Sequence, residues 1–178
     1  MAQRSVILLA LVLFLAIAHA GQSSSITGLG TFSNFRFTEE HQYGAAVQLW
    51  REGDILFGLF SYSEGLIGDA PAGTLEKATF DPKTGRISFT ARLTMGMHGC
   101  KLHNNVPSQD IFHFDGLLSG LSLSGTLVHA DNLHQEQNPK KEDIVLKKSD
   151  EWVITQYQSR EQWEVAMKNM LNSRGPKW

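Results

Sequence analysis

The sequence predicts a mainly β fold, about eight antiparallel strands forming an up-and-down barrel with one C-terminal amphipathic helix. Three observations carry this reading. Short segments alternate apolar and polar side chains, glycine-containing turns separate them in pairs, and helical spacing of apolar residues occurs at the end of the chain. Strands joined mostly by short hairpins leave two unpaired sheet edges, and closing the sheet into a ring removes both.

The elements follow in order. "GTFSNFRFT" (Gly30 to Thr38) opens the strand series. "AAVQLWRE" and "ILFGLFSY" flank Gly53-Asp54, a tight hairpin turn. The second of these is apolar on both faces, with Ile55, Phe57 and Leu59 on one side and Leu56 and Phe60 on the other. Such a strand suits a place where a helix covers the outside of the sheet. "TLEKATF" and "RISFTARLT" form the next hairpin. Asp81 and Pro82 suit the opening of its turn, and Gly85 the left-handed position that closes it. In "RISFTARLT", Ile87, Phe89, Ala91 and Leu93 alternate with Arg86, Ser88, Thr90 and Arg92, the clearest strand of the chain. "DIFHFDGLL" and "LSLSGTLVH" flank Ser119-Gly120, with Leu121, Leu123 and Leu127 assigned to one face. "DIVLKK" (Asp143 to Lys148) completes the set.

The helix is expected over about residues 159–173. Ser159 and Gln162 make a capping-box pattern, and Trp163, Ala166, Met167, Met170 and Leu171 share one stripe. Glu161 and Glu164 near its start and Lys168 and Arg174 near its end suit the helix dipole, and Gly175-Pro176 stops it. The expected role of the stripe is to seal the sheet.

The first 20 residues read as a signal peptide. Arg4 gives a positive start, Val6 to Ala18 is an apolar run, and Ala18-His19-Ala20 is a small-x-small cleavage site. A spanning helix needs roughly 20 apolar residues, so no permanent membrane anchor is expected. The chain beyond the cut, 21–178, is expected to be a single domain, exported to the periplasm or the extracellular space. A chain of this length can be held by its core without disulfides, in keeping with a lone cysteine, Cys100. Removal of Arg4 leaves 15 basic against 18 acidic residues, so no nucleic-acid partner is expected. The densest basic segment, "PKKEDIVLKK", is interrupted by Glu142 and Asp143.

"GLGTFSNF" resembles the opening strand of the calycin barrels (lipocalins and avidins), with Gly30-Thr31-Phe32 where those families place a glycine and an aromatic residue. The C-terminal helix after a run of strands is similar to lipocalins. The Thr-Asp-Tyr motif and the disulfide of that family are missing from this sequence. "EGLIGDAPAGTLEKATFDPKTGRISFTARL", "DIVLKKS" and "RGPKW" together resemble a family of exported bacterial proteins of unknown function. That resemblance implies a β domain and brings no catalytic residues with it.

Several features bear on chemistry. In "MHGCKLH", His98, Cys100 and His103 are candidate zinc or copper ligands, with Gly96 and Gly99 allowing the backbone to curl and Asp110 or His113 as a fourth ligand. The alternatives are a reactive or intermolecularly paired thiol and a plain polar loop. "GLSLSG" has Ser124 where a nucleophile elbow needs glycine, and phosphate loops and His-Glu-x-x-His are missing, so no catalytic residue is assigned. Glu39, Glu40 and His41 read as a hairpin turn. His129 keeps the phase of Leu123 and Leu127 and is expected to point inward near a barrel mouth, whereas His113 shares the phase of Ile111 and Leu117.

An eight-strand barrel is just wide enough to be filled by side chains or to hold one small ligand. The expected function is therefore an exported, non-enzymatic binding module for a small apolar or amphipathic ligand at one end of the barrel. Its candidate contacts are Phe32, Trp50, Phe57, Phe112, Phe114 and His129, bounded by the Gly68–Gly73 and Gly96–Gln109 loops. The alternatives are a metal-binding protein or enzyme using His98, Cys100 and His103, and a scaffold for a protein partner. Cofactor identity is left open.

Overall fold

The computed structural model describes residues 25–66, 71–94, 110–130, 138–150 and 154–173. The strands are β1 (Ile26–Ser33), β2 (Arg36–Phe37), β3 (His41–Glu52), β4 (Ile55–Leu66), β5 (Ala72–Phe80), β6 (Arg86–Arg92), β7 (Ile111–Ser119), β8 (Ser122–Ala130) and β9 (Lys140–Lys148). The helix α1 spans Arg160–Ser173. Each strand from β3 to β9 pairs antiparallel with the next, β9 pairs with β1, and β1 pairs with β3. The ring is a closed eight-strand up-and-down barrel, and β2 is a two-residue continuation of β1 along β3. The seam between β1 and β9 is narrow among the described residues. β1 meets β9 at Phe32–Lys148 and Ser33–Lys147, and the Ser149 N–H donates to the Thr31 carbonyl just beyond, whereas β1 runs along β3 from Ile26 to Ser33.

Period-two alternation sets what lies inside. Ala45, Val47 and Leu49 of β3, Leu56 and Phe60 of β4, and Ile87, Phe89 and Ala91 of β6 are buried in one core. Phe112 and Phe114 of β7, Leu123 and Leu127 of β8, and Ile144 and Leu146 of β9 complete it, with Phe32 from β1. Its aromatic rings form a continuous column. Phe114 stacks on Phe89 at 5.1 Å, Phe89 meets Phe60 at 6.0 Å, Phe60 meets Phe112 at 5.0 Å, and Phe112 meets Tyr62 at 4.7 Å. The column needs room. Gly116 and Gly125 lie opposite each other in the ladder, and a Cβ on either would fall within 2.9 Å of the Phe114 ring.

The outer face of β3 and β4 carries a second core. Trp50, Phe57, Leu59 and Ala72 pack against Trp163 and Met167 of α1, with Ile154 and Tyr157 of the preceding segment beside them. Trp50 Nε1 donates a hydrogen bond to the Thr155 carbonyl at 2.9 Å, which ties the chain leaving β9 to the barrel wall. The doubly apolar β4 is thus covered on both faces, Leu56 and Phe60 by the barrel interior and Phe57 and Leu59 by α1. The helix begins at the expected cap: Gln162 N donates to Ser159 Oγ at 3.2 Å. The Gln162 side chain returns to the Gln158 N–H rather than to that of Ser159.

Two turns differ in detail from the sequence expectation or sharpen it. In the β7–β8 hairpin Ser119 pairs with Ser122, so the turn residues are Gly120-Leu121 and Leu121 is exposed rather than on the face of Leu123. The cause is backbone geometry. Gly120, like Gly53, has φ 57 while the residue after it is not left-handed, the arrangement of a two-residue turn that requires glycine first. In the β5–β6 turn, Asp81 accepts from the Lys83 N–H and the Thr84 hydroxyl. These bonds, Thr84 first, hold its carboxyl below the usual range.

The two ends of the barrel are unlike. The turns 53–54, 81–85 and 120–121 gather at one end. The connections between β4 and β5, β6 and β7, and β8 and β9 all join strand ends at the other, where β1 also turns back into β3. Among the described residues no helix is long and apolar enough to cross a membrane.

Candidate functional site

The end that carries the longer connections also breaks the apolar pattern of the interior. Following β4 inward, Leu56 and Phe60 give way to Tyr62 and then Glu64, all on one face. In β8 the inward positions Leu123 and Leu127 give way to His129, and in β9 Ile144 is preceded at the same phase by Glu142 and Lys140. Asp110 enters from the residue before β7 and is buried. Six ionisable side chains therefore meet at the mouth of a barrel whose body is apolar.

Their geometry is defined. The His129 ring stacks on Phe112 at 4.3 Å with an interplanar angle of 12°, and Tyr62, tilted, touches both, 4.7 Å from Phe112 and 5.4 Å from His129. His129 Nε2 lies 3.5 Å from Asp110 Oδ1, an ion pair when the imidazole is protonated. Lys140 Nζ lies 3.9 Å from Glu64 Oε1, with both side chains more than half exposed, so that pair adds little. The Tyr62 hydroxyl is held neutral far above the usual phenol range. Burial is the main cause, followed by the charges of Glu64 and Glu142, its hydrogen bond to Glu64, and the charge of Asp110.

The aromatic candidates separate into two groups. Phe32, Phe112, Phe114 and His129 are inside the barrel, with Phe112 and His129 at the mouth and Phe114 deep in the ring column. Trp50 and Phe57 lie on the opposite side of the sheet wall, stacked at 6.4 Å beneath α1, and do not converge with the others. Their phase decides this, since Trp50 alternates with Leu49 and Phe57 with Leu56, both of which face inward. His98, Cys100 and His103 lie outside the described residues, as do residues 68–70 of the Gly68–Gly73 loop and the whole Gly96–Gln109 loop. Among the described residues, no group of three or more His, Cys, Asp or Glu side chains is placed to hold a metal ion. His113 faces outward, where its Nδ1 is 3.0 Å from Thr90 Oγ1.

Tyr62, Glu64, Glu142 and Lys140 are the mouth residues the sequence reading passed over. A signal existed: each keeps the inward phase of its strand beyond the last apolar residue, as His129 does. No protein-family model, curated protein or solved structure matches the chain, so the chemistry of the mouth is the basis for a functional reading.

Proposed function

We propose that the protein is an exported binding module that holds a small amphipathic ligand at the loop-bearing end of the barrel. The observation that carries this reading is the cluster of the Tyr62, His129 and Phe112 rings, with His129 beside the buried Asp110 carboxylate. A ligand seated there lays its apolar body on the half-buried Tyr62 and His129 rings, backed by the buried Phe112, and presents a hydroxyl or amine to acceptors, because Asp110, Glu64 and Glu142 outnumber Lys140. The ring column below the mouth limits how deep it enters, so the ligand is gripped at the rim and does not thread the barrel.

Native mass spectrometry of the processed protein, purified from an exporting host without chelator, tests the reading. A mass excess of an organic ligand is expected, lost in His129→Ala and Asp110→Asn and kept in Trp50→Phe. A bare chain mass, or an excess indifferent to the mouth substitutions, overturns it.

A further inference from the structure

A second cavity lies beside α1, where β4 and β5 part beyond Leu59–Thr74, and reaches Leu56 of the barrel core. α1 is held to the wall along one side, where Trp163 and Met167 meet Phe57 and Trp50. Along its other side a cleft of about 770 Å³ opens between the helix and β4–β5. That volume is in the range of small-molecule sites. Its floor is apolar, formed by Phe57, Leu75, Ala78, Met167 and Leu171, and the thioether of Met167 gives it a surface that adapts to shape. Ile55, at its edge, is half exposed.

The polar side chains at the cleft are not balanced. Arg160 is bound to Glu164 at 2.9 Å and sits over the Phe57 ring at 5.7 Å. Lys77 and Lys168 also line the cleft, and neither has an ion-pair partner among the described residues. Trp163 Nε1 is buried with no acceptor among them. Two ammonium groups without counter-ions among the described residues thus border an apolar floor.

Backbone conformation points to the same place. Lys77 has φ 48, the single non-glycine residue with positive φ among the described residues. It sits in the irregularity between Glu76 and Thr79, where β5 slips its register against β6. A left-handed lysine costs on the order of 1 kcal/mol, and a bulge that re-aims a side chain is a recurrent device beside binding sites.

We infer that this cleft beside α1 is a second binding site, for a monomeric amphipathic carboxylate: a single hydrocarbon chain lies on the Phe57–Leu75–Met167 floor and its carboxylate is held by Lys77 and Lys168. The site is separate from the barrel mouth and does not depend on it.

Dodecanoate, kept below its micelle concentration, is the probe, followed by calorimetry and by quenching of tryptophan fluorescence. Saturable one-to-one binding is expected to the wild type and equally to His129→Ala, which isolates this site from the mouth. Lys77→Gly combined with Lys168→Ala is expected to weaken binding by about tenfold or more, the size of a lost charge-assisted contact. Glycine accepts the φ of residue 77, so the variant keeps its melting temperature, and any loss of binding is not a loss of fold. Dodecanol is expected to bind the wild type about as weakly as dodecanoate binds the double variant. The inference is overturned by no binding of dodecanoate, by unchanged affinity in the double variant, by equal affinity for dodecyltrimethylammonium, or by binding only to phosphatidylglycerol vesicles.

Discussion

Replacing Trp50 with alanine separates the two faces of the barrel wall. The side chain is 1 % exposed, packs against Phe57, Tyr157 and Trp163, and donates to Thr155. Truncating a buried tryptophan costs about 3–5 kcal/mol through lost burial and the cavity left behind. The lost hydrogen bond adds about 1 kcal/mol at most, because Thr155 is exposed and water can take over its carbonyl. For a chain of this size the sum lowers the melting temperature on the order of 10 °C. The loss should also be local at first. Trp50 anchors the segment 154–157 and α1, whereas the ring column lies across the sheet and touches none of them. Urea unfolding followed by far-UV circular dichroism, together with limited proteolysis, reads both effects: early cleavage between β9 and α1, with the β signal lost later. Trp50→Phe keeps a ring under the helix and should cost about 1–2 kcal/mol. Wild-type stability in Trp50→Ala, or loss of a mouth ligand with no change in proteolysis, would refute the assignment of Trp50 to the helix anchor.

Other expectations rest on single features. Spectrophotometric titration should show the Tyr62 phenol ionising only far above the ordinary value near 10. Its folded-state value is raised, so stability linked to it is intact below pH 10 and falls as pH rises further. Tyr62→Phe should remove that part of the alkaline loss, and identical alkaline unfolding profiles would count against it. Gly125→Val should lower stability by about 2 kcal/mol or more, because its Cβ would clash with the Asp115 carbonyl oxygen and fall 2.6 Å from the Gly116 Cα, so Phe114→Leu in the same chain should not restore it. Asp81→Ala should weaken the β5–β6 hairpin at neutral pH and remove the Asp81 share of the stability lost as pH falls below about 4, seen as a shallower acid limb in thermal melts.

Much of this architecture is legible in single strands, because a strand with one wet face and one dry face writes its phase directly into the sequence. "RISFTARLT" and the doubly apolar β4 are such cases, and His129 was placed inward by the same reasoning. Strand ends are less legible. β9 begins at Lys140 rather than Asp143, since β8 needs a partner as far as His129 and the ladder overrides the low strand preference of Lys-Lys-Glu-Asp. β3 likewise starts at His41, carried past Ala45 by its pairing with β4 out to Leu66. The mouth was legible only in part. Phase says that His129 points inward, but its neighbour Asp110 arrives from another strand, and no local pattern joins positions 110 and 129. The separation of Trp50 and Phe57 from the other rings was open to the same phase argument, once the register of β3 against β4 is known.

The narrow seam between β1 and β9 has a consequence for biosynthesis. As the chain emerges, β1 finds its full-length partner β3 within a few tens of residues, but its opposite edge waits for positions 147 and 148, roughly a hundred residues later. Until then the nascent protein is an open, growing sheet whose first strand offers free backbone groups to any passing chain. The last strand therefore acts as a latch. A ribosome stalled anywhere in β8 would hold a ribbon rather than a barrel, and the interval before β9 appears is when a chaperone has the most to protect.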